Sequence, residues 1–590
     1  MSRSEITVGV GGEAGEGIGR TGDSIAKMAA RHGLHIYAYN SYQSVIRGGH
    51  VWLRIRIATE KVYNHGDHLN FLIALNQDTL DRHLREVEPN GWVLFNTEVV
   101  RLPEDRRGDL RYCGVPCKGL CRDLGYKPVM QNTVLLGAAA WILQFDFSYI
   151  EGVLRDTFQH KGDAVVRENV QVALRGYEYA RENFPPVRPP FPKGPKPLAV
   201  TTGNEMFALG AVAAGCKFYA AYPMTPASSI LHWFARYGPE LGVVVKQCED
   251  ELAVVNFAIG AGFAGVRALC ATSGGGFSLM TEAIGEAAMT ETPVVVINVM
   301  RGGPSTGLPT KTEQADFWQL FGASQGDYPK MILAPTDVLD CYYTMVEAFN
   351  WAERYQIPVL VASDLYLSEH RETVDPEDIR FDVPIDRGES ALREWPADRE
   401  YRRFADTPTG VSPRVLPGTP GVCYTAATDE HDERGVLISD VFTNPVERKK
   451  SMDKRMRKLR FLRQEIPPHR VIGPERADVT LVGWGSTKGI LIEAADRLTR
   501  EGIPTNVLAL KYLYPFPADS VMDLLGRSSK VIVVEQNYTG QLMRHIRAET
   551  GFLAHGAVRK YDGEPMEPLY VVRGVKAILE DGKTVFPEGW

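Results

Sequence analysis

Arg267-Ala-Leu-Cys-Ala271-Thr272-Ser273-Gly274-Gly275-Gly276-Phe277-Ser278-Leu279-Met280 is an apolar run ending in three glycines. Pro293-Val-Val-Val-Ile-Asn-Val-Met300-Arg301-Gly302-Gly303 repeats the arrangement a helix-length interval later. Short apolar runs bounded by glycine read as buried strands, and helix-length spacing between them predicts parallel pairing. Outward from this stretch, Phe218–Tyr222, Val243–Val245 and Pro358–Ala362 are further strand candidates. Residues 198–370 are therefore expected to form a doubly wound parallel α/β sheet, with ligands beyond the carboxyl ends of its strands.

The flanks extend the pattern. Val479–Trp484, Asn506–Leu510 and Val531–Glu535 predict a smaller α/β module over 471–590. At the other end, Ile6–Val10, a glycine-rich turn and a helix through Ile25, Met28 and Ala29 predict the first βα unit of a parallel sheet over 1–185. The proline-dense stretch 186–197 reads as a semi-rigid linker. Residues 371–470 are irregular and end in a basic helix, 448–463, with nine Lys or Arg and one Asp. The fold class is multidomain α/β.

Composition narrows the function. With 44% hydrophobic and 24% charged residues and a net charge of -7, the 590-residue chain has the makeup of a globular protein. It lacks the cationic field of a nucleic-acid or membrane-surface binder. No apolar run is long enough for a membrane span, and the start, Met1 to Val8, lacks a signal-peptide core. Eight cysteines are too few for a disulfide scaffold and suit a reducing compartment, so a cytoplasmic enzyme is expected.

Three elements of the central region call for chemistry. Tyr222-Pro223-Met224-Thr225-Pro226-Ala-Ser228-Ser229 delivers hydroxyls and free N–H groups at a strand end; helix capping alone leaves the first four residues unaccounted for. Glu249-Asp250-Glu251 opens an almost wholly apolar helix. The macrodipole accounts for two of the acids, and Glu251 is set apart by glycines nine and fourteen residues after it, Gly260 and Gly265, with Glu249 the alternative if the register differs. The glycine loops after 271 and 300 suit close approach to a ligand, or a tight turn. Arg301, beside Gly302 and Gly303, offers a guanidinium to a carboxylate.

At the N-terminus, Gly9-x-Gly11 with Ala14 in the third position loosely fits a dinucleotide fingerprint. Glu13 and Glu16 would crowd a pyrophosphate, and His35–Tyr39 ends at Asn40 rather than an acid, so helix–strand packing is the stronger reading. Gly11-Gly12-Glu-Ala-Gly15-Glu-Gly17 followed by Ser41-Tyr-Gln-Ser-Val-Ile-Arg47-Gly48-Gly49 instead resembles the gamma module of the 2-oxoacid:ferredoxin oxidoreductases.

The three central elements, in order, resemble the alpha subunit of the same family, with gamma and alpha modules fused. Lys511-Tyr-Leu-Tyr-Pro515 and Val534–Gln541 look like a transketolase C-terminal-type module. The resemblance implies thiamine diphosphate as cofactor and coenzyme A as co-substrate. It places Glu251 at the cofactor's aminopyrimidine, with Tyr222, Pro223, Met224, Ser273, Gly274 and Gly275 around it. Thr225 and Arg301 would hold the substrate's C1 carboxylate. The fused layout is most similar to the 2-oxoglutarate-using branch, for whose distal carboxylate Lys311 is the candidate cation. Arg47, Gly48 and Gly49 are the candidates for coenzyme A.

No Gly-Asp-Gly diphosphate motif occurs, and no metal ligands are assigned to this chain. Cys113, Cys117 and Cys121 lack ferredoxin-type spacing and read as one buried helix face. The resemblance therefore implies a beta subunit carrying Mg²⁺ and a [4Fe–4S] cluster, in an (αβ)2 hetero-oligomer that reduces ferredoxin. Asp429-Glu430-His431-Asp432-Glu433 reads as a solvated loop without ligand spacing. The basic helix reads as a solvated face over Met452, Met456, Leu459 and Leu462, or as a dock for an acidic ferredoxin or coenzyme A phosphates. A pyruvate or branched-chain oxidoreductase, a dinucleotide dehydrogenase and a non-catalytic scaffold stay open at this point.

Overall fold

The structure, a computed structural model, describes residues 4–13, 18–42, 49–439 and 444–587. It forms two compact units: the chain up to Thr201 together with Glu369–Asp378, and Thr202–Ser368 with the chain from Ile379 onward. The break expected at 186–197 falls instead between Thr201 and Thr202, at the end of the strand Ala199–Thr202 that edges the first sheet, and Arg371–Val374 returns to that sheet beyond residue 370.

The first unit is built on an eight-stranded sheet. It is mixed, not parallel as expected. Glu5–Glu13 runs parallel to Leu69–Ala74 but antiparallel to His50–Ala58, which is also antiparallel to His35–Ser41. Gly11 and Gly12, expected in the glycine turn, lie with Gly9 inside the first strand, and Gly15 and Gly17 lie outside the described residues. A Cβ on Gly9 would sit 2.2 Å from the Trp52 ring crossing it, so Gly9 and Gly11 make room for a cross-strand indole. Cys113 belongs to the strand Arg111–Val115, and only Cys117 and Cys121 lie on the helix Cys117–Asp123. All three are buried, and burial pushes the Cys113 thiol up to about 12.

The second unit contains a seven-stranded sheet and a six-stranded sheet. In the former, Val244–Gln247, Phe218–Ala221, Ala268–Thr272, Val294–Met300, Pro358–Asp364 and Met331–Leu333 are parallel neighbours, with Tyr512–Tyr514 antiparallel at the edge. From Phe218–Ala221 the chain goes first to one side and then returns to the other, so strand order reverses between Phe218–Ala221 and Ala268–Thr272. A crevice opens beyond strand ends at such a reversal. The register aligns Thr272 with Asn298, and Met300 with Asp364, so their carboxyl ends open together.

Irregular backbone after 378 is held by buried arginines. Arg414 donates to the carbonyls of Gly262 and Phe263, both at 2.6 Å, satisfying the open C-terminal end of the helix Glu251–Phe263. The basic helix, Pro445–Glu465, departs from the expected solvated face. Lys454, Arg455 and Lys458 are buried with Leu459 and Leu462, while Met452 and Met456 are only half-buried. Lys458 Nζ lies 2.6 Å from Glu291 and Arg455 2.8 Å from Glu430. The acids at 430 and 433 are thus partners of this helix and not a solvated loop, Glu433 pairing with Lys450.

Candidate active site

The three acids before the apolar helix separate cleanly. Glu249 is exposed, and Asp250 caps the helix by accepting from the Ala253 N–H at 2.8 Å. Glu251, the first helical residue, turns inward and is only 3% exposed. The Thr272 hydroxyl donates to its Oε1 at 3.4 Å. Burial raises the Glu251 carboxyl above its ordinary range, against the opposing pull of Thr272 and Arg301. Gly276, one turn into the next helix, has to be glycine: a Cβ there would lie 2.1 Å from Thr272 Oγ1 and 2.4 Å from Glu251 Oε1.

Arg301, at the end of Val294–Met300, crosses to the loop after Phe218–Ala221. Its Nη1 donates to the Thr225 carbonyl at 2.6 Å and lies 3.4 Å from Met224 Sδ. At 9% exposed, the guanidinium is held below its ordinary range by burial, against the pull of Asp316 and Glu251. Ser273 is fully buried at the start of the helix Gly274–Met289, and its hydroxyl has no hydrogen-bond partner among the described residues. Thr225 and Met224 are half-buried, whereas Tyr222, Pro223 and Gly275 are exposed.

Residues 209–448 match the family described as pyruvate flavodoxin/ferredoxin oxidoreductase, thiamine diphosphate-binding. Residues 7–179 match pyruvate ferredoxin/flavodoxin oxidoreductase, and residues 477–568 match core domain II of pyruvate:ferredoxin oxidoreductase. The alpha subunit of 2-oxoacid:ferredoxin oxidoreductase 2 from Aeropyrum pernix is 33% identical, over 98% of both chains. The chain belongs to the 2-oxoacid:ferredoxin oxidoreductase alpha subunits. The Mycobacterium tuberculosis 2-oxoglutarate oxidoreductase subunit KorA is 30% identical, over 92% of this chain and 87% of that one. The solved 2-oxoglutarate:ferredoxin oxidoreductase of Magnetococcus marinus superposes with a TM-score of 0.90 at 32% identity, covering 98% of this chain and 100% of that one.

In this alpha subunit the C-terminal module buttresses the loop after Arg301. The Gln314 N–H donates to the Gln536 carbonyl at 2.7 Å, Gln541 Nε2 to the Ala315 carbonyl at 2.7 Å, and Asn537 Nδ2 to the Gln314 carbonyl at 3.0 Å. Lys311 lies on that loop and its ammonium pairs with Glu564. Sequence reading missed Asp316, which accepts from Asn298 Nδ2 at 3.1 Å; burial raises its carboxyl while Asn298 and Arg301 oppose the shift. It missed Glu313 too, which burial, then Asp562 and Asp316, push up to about 7. No spacing or motif marks either acid. Of the residues expected to meet coenzyme A, Gly49 is exposed with φ of 79°, while Arg47 and Gly48 lie outside the described residues. Among the described residues no helix is long and apolar enough to cross a membrane.

Proposed function

We propose that this alpha subunit serves a 2-oxoglutarate:ferredoxin oxidoreductase, which forms succinyl-CoA and CO2 from 2-oxoglutarate and coenzyme A while reducing ferredoxin. The observation that carries the reading is the meeting of Arg301, Thr225 and Glu251 at the reversal of strand order. The relatives from Mycobacterium tuberculosis and Magnetococcus marinus, whose names specify 2-oxoglutarate, support the substrate.

Thiamine diphosphate fits the residues present. A buried carboxyl with raised proton affinity and an orphaned buried hydroxyl, Ser273 Oγ, suit a polar heterocycle, and Gly276 keeps space beside them. When bound, the cofactor supplies the nucleophilic carbon and the electron sink for decarboxylation. Glu251 would hold the cofactor's aminopyrimidine through its carboxyl proton, Ser273 would offer a hydroxyl, and Tyr222, Pro223, Met224, Gly274 and Gly275 would line the approach. Arg301 and Thr225 hold the C1 carboxylate, and Lys311 swings from Glu564 to the distal one. Coenzyme A is assigned to the first unit, at Arg47, Gly48 and Gly49.

A beta subunit is proposed to bring Mg²⁺, the diphosphate cradle and a [4Fe–4S] cluster, in an (αβ)2 assembly. The surface beside Glu251 supports such a partner. Leu252 and Phe257 of its helix and Leu279 of the next are exposed, an apolar face suited to a protein interface. A cytoplasmic location is in keeping with a cysteine content too low for a disulfide scaffold.

The purified complex should reduce viologen fastest with 2-oxoglutarate in a panel of 2-oxoacids. Faster turnover of pyruvate or a branched-chain 2-oxoacid would overturn the substrate assignment.

A further inference from the structure

Glu535-Gln536-Asn537-Tyr538-Thr539-Gly540-Gln541 joins the strand Lys530–Glu535 to the helix Gln541–Thr550. A helix start leaves backbone N–H groups without intrahelical partners, and this stretch supplies them from within. Glu535, fully buried, accepts from the Leu542 N–H at 2.8 Å and the Met543 N–H at 3.2 Å. Asn537 Oδ1 accepts from the N–H groups of Gly540 at 2.8 Å and Gln541 at 3.2 Å. Gly540, with φ of 67°, makes the left-handed turn into the helix. The side chain of Gln541 therefore takes no part in capping, yet it is only 7% exposed.

That side chain closes on residues 315–318. Gln541 Nε2 donates to the Ala315 carbonyl at 2.7 Å, and its Oε1 accepts from the Trp318 N–H at 3.0 Å. One amide offers both a donor and an acceptor, so a single side chain holds the turn around Asp316 at both ends. In and just after that turn, two side chains reach the two walls of the site. Asp316 Oδ2 accepts from Asn298 Nδ2 at 3.1 Å, on the strand that ends at Arg301, and a Cβ on Gly274 would lie 2.6 Å from the same oxygen. Gln319 Nε2 donates to the Gly274 carbonyl at 3.2 Å. Of the two carboxylates that favour the charged form of Arg301, Asp316 acts more strongly than Glu251.

We propose, on the reading that Arg301 holds the 2-oxoacid carboxylate, that Gln541 is a positioning residue for that carboxylate: by fixing the turn that carries Asp316, it sets where the Arg301 guanidinium is presented. Asp316 is the link. It is bonded to the strand that leads into Arg301 and rests against the helix start whose Gly276 faces Glu251. Misplacement of about 1 Å caused by a substitution far from the reacting atoms can cost on the order of 100-fold. Loss of the Gln541 amide therefore acts on the 2-oxoacid and spares coenzyme A, which is assigned to the first unit.

The test compares purified complexes, with the best 2-oxoacid and coenzyme A varied in turn and viologen as acceptor. Gln541→Met keeps the length of the side chain but loses both hydrogen bonds. It should raise KM for the 2-oxoacid by about 10- to 100-fold and leave KM for coenzyme A within about two-fold of the wild type. Thr480→Val is the stability control. Thr480 Oγ1 bonds Asn506 Oδ1 at 2.7 Å and Ser528 Oγ at 2.6 Å, at the opposite end of the strand Val479–Trp484 from the Trp484 carbonyl that meets Gln314. It should lower the melting midpoint and move neither KM, because a smaller folded fraction lowers the rate and not the affinity. If Gln541→Met fails to assemble, Gln541→Glu, which keeps the acceptor for Trp318 and loses the donor to Ala315, decides by the same constants. A 2-oxoacid KM raised in Arg301→Lys but unmoved in the Gln541 variant would overturn the positioning role alone. A KM unmoved in both would overturn the reading of Arg301 as well. Equal rises in both KM values would reduce Gln541 to a structural tie and overturn its role toward the carboxylate.

Discussion

Replacing Glu251 by Gln preserves shape and hydrogen bonding but removes the exchangeable carboxyl proton. E251Q should lower turnover of the reconstituted complex by about 10²- to 10⁴-fold, read as viologen reduction. The folded state raises the Glu251 carboxyl, so ionisation near neutral pH costs stability. The neutral amide removes that cost, and the melting midpoint of E251Q should equal or exceed that of the wild type. Undiminished turnover would favour a scaffold. Arg301→Lys loses the planar fork that reaches the Thr225 carbonyl at 2.6 Å. One lost charge-assisted bond predicts a rise in KM for the 2-oxoacid of about 10- to 100-fold.

The decisive element is the basic helix Pro445–Glu465. It is fastened through Glu291, whose carboxyl is 2.6 Å from Lys458 Nζ and also pairs with Lys454. Burial alone would raise the Glu291 carboxyl, but the two ammonium groups and Arg403 outweigh it and hold it well below its ordinary value of 4.5. The stabilisation is therefore complete above that value and drains as pH falls below it. Glu291→Gln leaves two ammonium groups buried without a carboxylate and should cost about 3–5 kcal/mol in urea unfolding at pH 7. The same variant should lose less stability than the wild type between neutral and acid pH. This pairing has no signature in the local sequence. Nine cations on one helix read as a solvated face because Glu291 lies more than 150 residues away.

Across the whole molecule the chain re-enters its first unit after the second has begun. Arg371 and Glu372 pair with Ala38 and Tyr37, and His370 stacks on Tyr37 with centroids 4.2 Å apart. A protein nicked within 186–197 should therefore elute as one species on a native sizing column and separate only under denaturing conditions. Fragments that separate without denaturant would show that this strand does not hold the first sheet.

The sequence by itself determined the α/β class, the strands of the parallel sheet, the three acids at a helix start and the loops that carry Thr225 and Arg301. Each depends on periodicity, glycine placement or an N-cap, and these act over a few neighbouring residues. Tertiary structure alone decided which of the three acids is buried, that Arg301 reaches Thr225, and that Asp316 joins them. It also decided that the first sheet is mixed and that the basic helix is neutralised from within. Those outcomes depend on contacts between distant segments, whose charges and hydrogen bonds acquire partners only after the sheets have closed.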